Sequence, residues 1–108
     1  MPLAKEKCQR VDAGTPPLSS WDVQQLAPEI PAWSIKEGAL EREFQFHDFA
    51  EAMEFVADVA DLAQRQDHHP DIHILYNRAR LVFSTHKIGG LSRNDFIMAA
   101  KVDHMVGR

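Results

Sequence analysis

A long amphipathic helix predicted over residues 48–66 is the feature that most constrains how this chain folds. Apolar residues recur there at spacings of three and four, which is the period of an α-helix. They form two adjacent stripes, one of Phe49, Met53, Val56, Ala60 and Ala63 and one of Ala52, Phe55, Val59 and Leu62. Together the stripes span about half of the helix circumference. An arc of that width covers a sheet and leaves apolar surface for a partner chain.

Capping residues mark the beginnings of three helices. Asp48 is suited to cap the long helix, with Glu51 as its capping-box partner. One of the serines at positions 19–20 is predicted to start a short first helix. Ser92 and Asp95 have the capping-box spacing and predict the start of a last helix.

Two hairpins are predicted, one on each side of the long helix. Their strands alternate in polarity or are rich in β-branched and aromatic residues, and they are residues 33–36, 39–46, 71–76 and 79–85. Glu37-Gly38 and Asn77-Arg78 are the predicted turns. This order predicts an α+β fold, in which three helices, one of them long and central, pack on one face of a four-stranded antiparallel sheet.

Length, charge and cysteine content narrow the function classes. The chain has 108 residues and a formal net charge of -4. Proteins that bind nucleic acids usually neutralise the backbone phosphates with basic side chains, so we expect no nucleic-acid partner. No apolar run has the length of a membrane span, and a single cysteine fits a reducing compartment. We therefore expect a cytoplasmic protein, with a flexible tail at residues 1–17 and a single domain at residues 18–108.

The second hairpin brings two histidines together. A two-residue turn at positions 77–78 pairs Tyr76 with Ala79. Continued to the open end of the hairpin, that register places His69 opposite His86. A slip of one residue would put the two side chains on opposite faces of the sheet. This register therefore predicts a shared histidine pocket.

His68 and His69 stand at a corner between helix and strand, just before Pro70. Neutral imidazole has one donor and one acceptor nitrogen, and it gains or loses a proton near neutral pH. This pattern favours acid–base chemistry on a small molecule. Two other interpretations stay open: solvated histidines at a helix end, and a zinc site with ligands among His68, His69, His73 and His86.

These residues stand in a recognisable order: His68-His69-Pro70, Tyr76, His86, Gly90-Leu91-Ser92 and Asp95, preceded by Trp33 and by Phe46-His47-Asp48-Phe49. In that order the chain resembles the pterin-4a-carbinolamine dehydratase family over about residues 18 to 106. The resemblance implies a four-stranded antiparallel sheet with three helices. It also implies dehydration of 4a-hydroxytetrahydrobiopterin to quinonoid dihydropterin by metal-free histidine acid–base catalysis, in tetrahydrobiopterin recycling.

The same resemblance implies the site and the partners. His68, His69 and His86 are the implied catalytic residues. The implied substrate-binding residues are these three histidines with Trp33, Asp67, Pro70, Ser84, Thr85 and Asp95. Asp95 is equally explained as a helix cap. The substrate is then the pterin itself, with no cofactor and no metal.

The implied assembly is a homodimer or homotetramer, with an aromatic amino-acid hydroxylase or a regulatory protein as a further partner. Gln64 and Lys87 depart from the family pattern, which usually has a charged residue at the first position and often has Glu at the second. The alternative function is a non-catalytic dimerisation cofactor that regulates a partner protein.

Overall fold

Four antiparallel strands and three α-helices make up the fold, as the sequence predicts. The structure is a computed structural model, and it describes residues 2–107. The elements are α1 (Ser20–Leu26), β1 (Ser34–Lys36), β2 (Ala39–Gln45), α2 (Phe49–Gln66), β3 (Asp71–Leu75), β4 (Arg78–Phe83) and α3 (Arg93–Met105). The strand order is β1-β2-β4-β3. The sheet is therefore antiparallel throughout, with β4 in its interior.

The helix beginnings agree with the predicted caps. Ser19 caps α1. At the start of α2 the Asp48 carboxylate accepts a hydrogen bond from the Glu51 backbone N–H at 2.9 Å. The Glu51 side chain accepts from the His47 N–H at 3.0 Å. The reciprocal bond of this cap thus falls one residue earlier than a capping box would place it.

The core lies between the sheet and the inner faces of α2 and α3. Leu40 and Leu81 on neighbouring strands are completely buried, as are Val59 on α2 and Phe96 on α3. The second predicted stripe of α2 faces this core. The first stripe remains largely outside it, since Phe49 is 49% exposed and Met53 is 39% exposed. The predicted surplus of apolar surface on this helix is therefore present.

A buried ion pair joins α3 to the sheet. The Arg42 guanidinium lies 2.6 Å from the Asp103 carboxylate, and both side chains are about nine-tenths buried. The Trp33 indole N–H donates to the same carboxylate oxygen at 2.9 Å. Pairing the two charges offsets much of the cost of taking them out of water.

The predicted register of the second hairpin is wrong by two residues. The structure pairs Leu75 with Arg78, so the turn is at Tyr76-Asn77 instead of Asn77-Arg78. Asn77 is held there by Phe46, because its side-chain amide donates to the Phe46 carbonyl at 2.9 Å and its carbonyl accepts from the Phe46 N–H at 2.8 Å. A shift of two residues keeps each side chain on its predicted face.

Part of the segment expected to be a flexible tail is packed against the domain instead. Leu3 is completely buried in the core, and residues Leu3–Lys5 form one turn of 3-10 helix. The Leu3 N–H donates to the Glu29 carboxylate at 2.8 Å, and Lys101 on α3 donates to the Ala4 carbonyl at 2.8 Å. One apolar anchor in a polar stretch shows no periodicity, so the sequence pattern missed it. Within residues 2–107, every helix falls short of the length and apolarity that crossing a membrane requires.

Candidate active site

A cleft of about 580 Å³ lies where the end of α2, the end of β4 and the N-terminal segment meet. Most of the residues that line it have polar side chains, and they include all three histidines that the sequence singled out. The lining residues are Cys8, Gln9, Arg10, Val11, Gln66, Asp67, His68, His69, Ser84, Thr85, His86, Lys87 and Asn94. The volume exceeds that of a bicyclic ring and suits a small-molecule ligand.

The histidine pair reaches the cleft because the chain turns sharply at the end of α2. Asp67 caps the helix in the left-handed conformation, with φ 53° and ψ 42°. The N–H groups of Asp67 and His68 both bond to the Ala63 carbonyl. Glycine usually occupies such a position, and aspartate is one of the few residues that tolerate it. The sequence predicts a break before Pro70 but not this cap.

His68 is anchored to a fully buried carboxylate. Its Nε2 lies 2.6 Å from Oδ1 of Asp95, which is completely buried at the start of α3. The other carboxylate oxygen accepts from the Thr85 hydroxyl at 2.8 Å and from the Ser92 N–H at 2.9 Å. An ionised carboxylate only accepts hydrogen bonds, so with Asp95 ionised the donor of this contact is His68 Nε2. The second ring nitrogen, Nδ1, is left for a ligand.

Phe83 fixes the plane of the His68 ring. The two rings stack with centroids 6.3 Å apart and planes 10° apart. On its other contact, Phe83 packs against Trp33 with centroids 5.7 Å apart. Trp33 is 6% exposed and does not line the cleft. The structure therefore places Trp33 in the core, where it supports Phe83, and not beside the pocket as the sequence analysis expected.

The other two histidines reach the cleft from different elements. His69 Nε2 lies 2.6 Å from Oε1 of Gln64, one turn back on α2. Gln64 is thus the neutral partner of His69, at the position where the chain departs from the family pattern. His86 begins a one-turn 3-10 helix, His86–Ile88, two residues after the end of β4. It lines the same cleft without being paired to His69 across the hairpin, because β4 ends at Phe83.

Among the other predicted site residues, Asp67, Ser84 and Thr85 line the cleft, whereas Pro70 does not. Asp95 lies behind the histidines instead of at the surface of the cleft. It serves both as the acid of the α3 cap and as the partner of His68, so the helix-cap explanation is confirmed, while binding of substrate by Asp95 stays a prediction. Within residues 2–107, no group of three or more histidine, cysteine, aspartate or glutamate side chains is arranged to hold a metal ion.

The sequence analysis missed the wall of the cleft formed by residues 8–11. Cys8 is part of this wall, and its thiol donates to the Asn94 carbonyl at 3.8 Å. Burial raises the pKa of the Cys8 thiol to about 11. A thiol with so high a pKa is protonated at neutral pH and is a poor nucleophile.

The fold is an α+β sandwich with a histidine-lined cleft at one end of its sheet. Residues 16–105 match the model of the pterin 4 alpha carbinolamine dehydratase family. The chain belongs to this family.

Relatives agree along almost the whole chain. A protein of Methylococcus capsulatus, provisionally named pterin-4-alpha-carbinolamine dehydratase, is 43% identical over 95% of this chain and 92% of its own length. One from Stenotrophomonas maltophilia, with the same provisional name, is 46% identical over 94% of this chain and 89% of its own.

Two solved structures share the fold. The crystal structure of a transcriptional coactivator/pterin dehydratase from Brucella melitensis superposes with a TM-score of 0.79 at 30% identity, covering 84% of this chain and 99% of that one. A pterin dehydratase-like protein described as a RuBisCO assembly factor in the alpha-carboxysome superposes with a TM-score of 0.58 at 22% identity, covering 69% of this chain and 87% of that one. This second likeness concerns the fold alone.

Proposed function

We propose that the chain is a 4a-hydroxytetrahydrobiopterin dehydratase of tetrahydrobiopterin recycling. It converts the pterin-4a-carbinolamine to quinonoid dihydropterin and water. The observation that carries the proposal is the convergence of His68, His69 and His86 on one cleft, in a chain that belongs to the dehydratase family. Relatives with provisional dehydratase names over most of the chain support it.

The protein has only to transfer protons in this reaction. The C4a–O bond breaks, and the leaving oxygen takes up a proton to become water. The N5 electron pair forms the new C4a–N5 double bond, and the proton on N5 leaves. One acid and one base therefore suffice, and each is typically worth about 10²- to 10⁴-fold in rate. The proposal requires no metal and no cofactor.

We assign the acid and base roles to His68 and His86. Asp95 holds a proton on one nitrogen of His68 at 2.6 Å and leaves the other nitrogen to exchange a proton with substrate, the arrangement in which a carboxylate orients a catalytic imidazole. His86 is exposed at the mouth of the cleft. His69, held by Gln64, orients the ring. The cytoplasm, where thiols such as Cys8 stay reduced, is the proposed location.

The direct test is the decay of 4a-hydroxytetrahydrobiopterin, followed by absorbance with purified protein. We expect acceleration over the uncatalysed decay, the same rate after treatment with a chelator, and a large loss in His68→Ala and His86→Ala. His73→Ala is the matched control, because His73 lies on β3 opposite Arg80 and away from the cleft. No acceleration by the unaltered protein would refute the proposed activity.

A second candidate function is a dimerisation cofactor for a partner protein. The observation in its favour is the outward apolar stripe of α2, where Phe49 stacks on Tyr76 at 6.5 Å and Tyr76 is 68% exposed. We propose the same surface for the contact of a homodimer or homotetramer, or for an aromatic amino-acid hydroxylase as partner. A stoichiometric protein partner that is lost in Met53→Lys, combined with no dehydration by the unaltered chain, would favour this function over catalysis.

A further inference from the structure

The N-terminal wall of the cleft, residues 8–11, is held by all three elements that carry the candidate site. At the end of α2, the Gln66 side chain accepts from the Cys8 N–H at 3.0 Å. After β4, the Lys87 ammonium donates to the Val11 carbonyl at 3.0 Å. At the start of α3, the Asn94 side chain contacts the backbone of Gln9. The wall thus contacts the end of α2, the turn after β4 and the start of α3, and it connects these three parts of the site.

Each of these anchors is a close sequence neighbour of a site residue. Gln66 comes two residues before His68, Lys87 follows His86, and Asn94 precedes Asp95. An anchor so close to a site residue fixes the position of the wall relative to that residue. The wall is therefore part of the geometry of the site, although it lies outside the residues 16–105 that match the family.

The strongest anchor is Asn94. It is 6% exposed, and its amide makes two bonds to Gln9: the carbonyl oxygen accepts from the Gln9 N–H at 2.9 Å and the amide nitrogen donates to the Gln9 carbonyl at 2.6 Å. This pairing imitates a strand contact and satisfies the backbone of one wall residue completely. The Gln9 and Arg10 side chains line the cleft. The Gln9 amide nitrogen donates to the Lys7 carbonyl at 3.3 Å, and the Arg10 guanidinium lies 3.4 Å from the Asp12 carboxylate. Each side chain keeps further hydrogen-bonding groups for a ligand, since Gln9 retains its oxygen and a second N–H and Arg10 its remaining N–H groups.

We propose that residues 8–11 select the substituent on the pterin ring, with Gln9 and Arg10 favouring a hydroxylated substituent over an apolar one. The proposal rests on the proposed function, because the histidines must hold the ring. A ring held there leaves its substituent to meet the rest of the lining, and the cleft is larger than the ring. An amide and a guanidinium together offer donors and an acceptor to hydroxyl groups.

The test compares two substrates, the 4a-hydroxy forms of tetrahydrobiopterin, with its dihydroxypropyl group, and of 6-methyltetrahydropterin. We expect unaltered protein to prefer the first in kcat/KM. In the double variant Gln9→Met and Arg10→Met this preference falls by about three- to tenfold, as expected for the loss of one or two hydrogen bonds. The change lies in KM for the dihydroxypropyl substrate. Both side chains are exposed, so these substitutions do not put folding at risk.

A matched pair of anchor variants separates the wall from the rest of the N-terminal segment. Asn94→Ala releases Gln9 and is expected to reduce the preference. Lys101→Met removes an anchor on Ala4, a residue outside the cleft, and is expected to leave the preference unchanged. An equal preference in unaltered protein and in the double variant would overturn the proposal while the dehydratase activity stands.

Binding gives a readout that does not depend on catalysis. Calorimetry with 7,8-dihydrobiopterin and 6-methyl-7,8-dihydropterin, which have no 4a-hydroxyl group, should show the same preference and the same loss in the double variant. An inactive protein with this pattern of binding would refute the proposed activity and support the selection of the substituent by residues 8–11. A protein that is inactive and binds neither compound would refute both.

Discussion

At the scale of single residues, the contact between His68 and Asp95 carries most of the proposed chemistry. Asp95 is completely buried, and its three hydrogen bonds join α3, the residue before His86, and His68. A buried carboxylate is costly unless all of its acceptor sites are used. The buried carboxylate of Asp95 therefore orients the imidazole of His68.

Asp95→Asn should lower kcat about 10²-fold, because an amide cannot hold the same proton on His68. It should also change the pH dependence of kcat, which a purely structural effect would not do. Asp103→Asn is the matched control: it alters the other buried carboxylate of α3, so it should lower the free energy of unfolding and leave kcat intact. Equal kcat values in the two variants would contradict the role of Asp95. Steady-state kinetics and thermal unfolding measure both effects.

Cys8 should resist alkylation in the folded protein. Burial raises its pKa from 9.0 to about 11, and each unit reduces the reactive thiolate tenfold at pH values below the pKa. Iodoacetamide at pH 8 should therefore label the folded chain about 10²-fold more slowly than the unfolded chain. The folded state also keeps the thiol proton up to a higher pH than the unfolded state does. The contribution of Cys8 to the free energy of unfolding is therefore complete below pH 9.0 and is lost as the pH rises towards 11. Rapid labelling of the folded protein would contradict the packing of residues 8–11.

The histidines were predictable from residue type and order, whereas the wall was not. His68, His69 and His86 have side chains whose chemistry is specific enough to be noticed in a sequence. Gln9 and Cys8 lie in a stretch without periodicity, and they line the cleft because long-range contacts hold the segment, among them the burial of Leu3 and the bonds to Gln66 and Asn94. Trp33 shows the opposite error, since an aromatic ring near a strand fits both a core and a pocket.

At the scale of elements, turns and helix ends position the site. The loop after β4 returns through a bridge between Thr85 and Gly90, which places Thr85 next to Asp95. Pro17 packs so close to Gly90 that a Cβ atom on that glycine would lie 2.8 Å from the Pro17 Cβ. The close approach of the Pro17 ring to the Gly90 backbone therefore requires glycine at this position.

Gly90→Ala should lower the free energy of unfolding by about 1–3 kcal/mol, the usual cost of forcing an extra methyl group into packed surroundings. Gly14→Ala is the control, because a Cβ there meets nothing within 4 Å. Denaturant unfolding of both variants measures the difference. Stability equal to that of the unaltered protein in Gly90→Ala would show that the loop is not packed on Pro17.

Element types and caps followed from the sequence, but the register of the second hairpin did not. Periodicity and capping residues are local signals, and they placed α2 and its beginning at Asp48 correctly. The hairpin register depends on Asn77, which bonds to Phe46 at the end of the neighbouring strand β2. A contact over 31 positions leaves no mark in the local pattern, so the turn dipeptide alone pointed to the wrong pair of residues.

At the scale of the whole molecule, different parts of α2 and α3 contribute to the core and to the candidate site. The inner faces of α2 and α3 bury the core, and their opposite ends meet at one cleft, where the C-terminal end of α2 presents His68 and the beginning of α3 presents Asp95. The order of elements was predictable from the sequence, whereas the meeting of these two ends is seen in the structure. The exposed apolar stripe of α2 lies apart from the cleft, so the proposed assembly and the proposed catalysis would use different surfaces.

The central claim is that the three histidines form one metal-free acid–base site, and the rate of 4a-hydroxytetrahydrobiopterin dehydration tests it most directly. We predict that the unaltered protein and His73→Ala accelerate dehydration equally and without sensitivity to chelators. His68→Ala and His86→Ala should each fall by about 10²-fold or more. Full activity in both of those variants, or loss of activity on chelation that zinc restores, would contradict the claim.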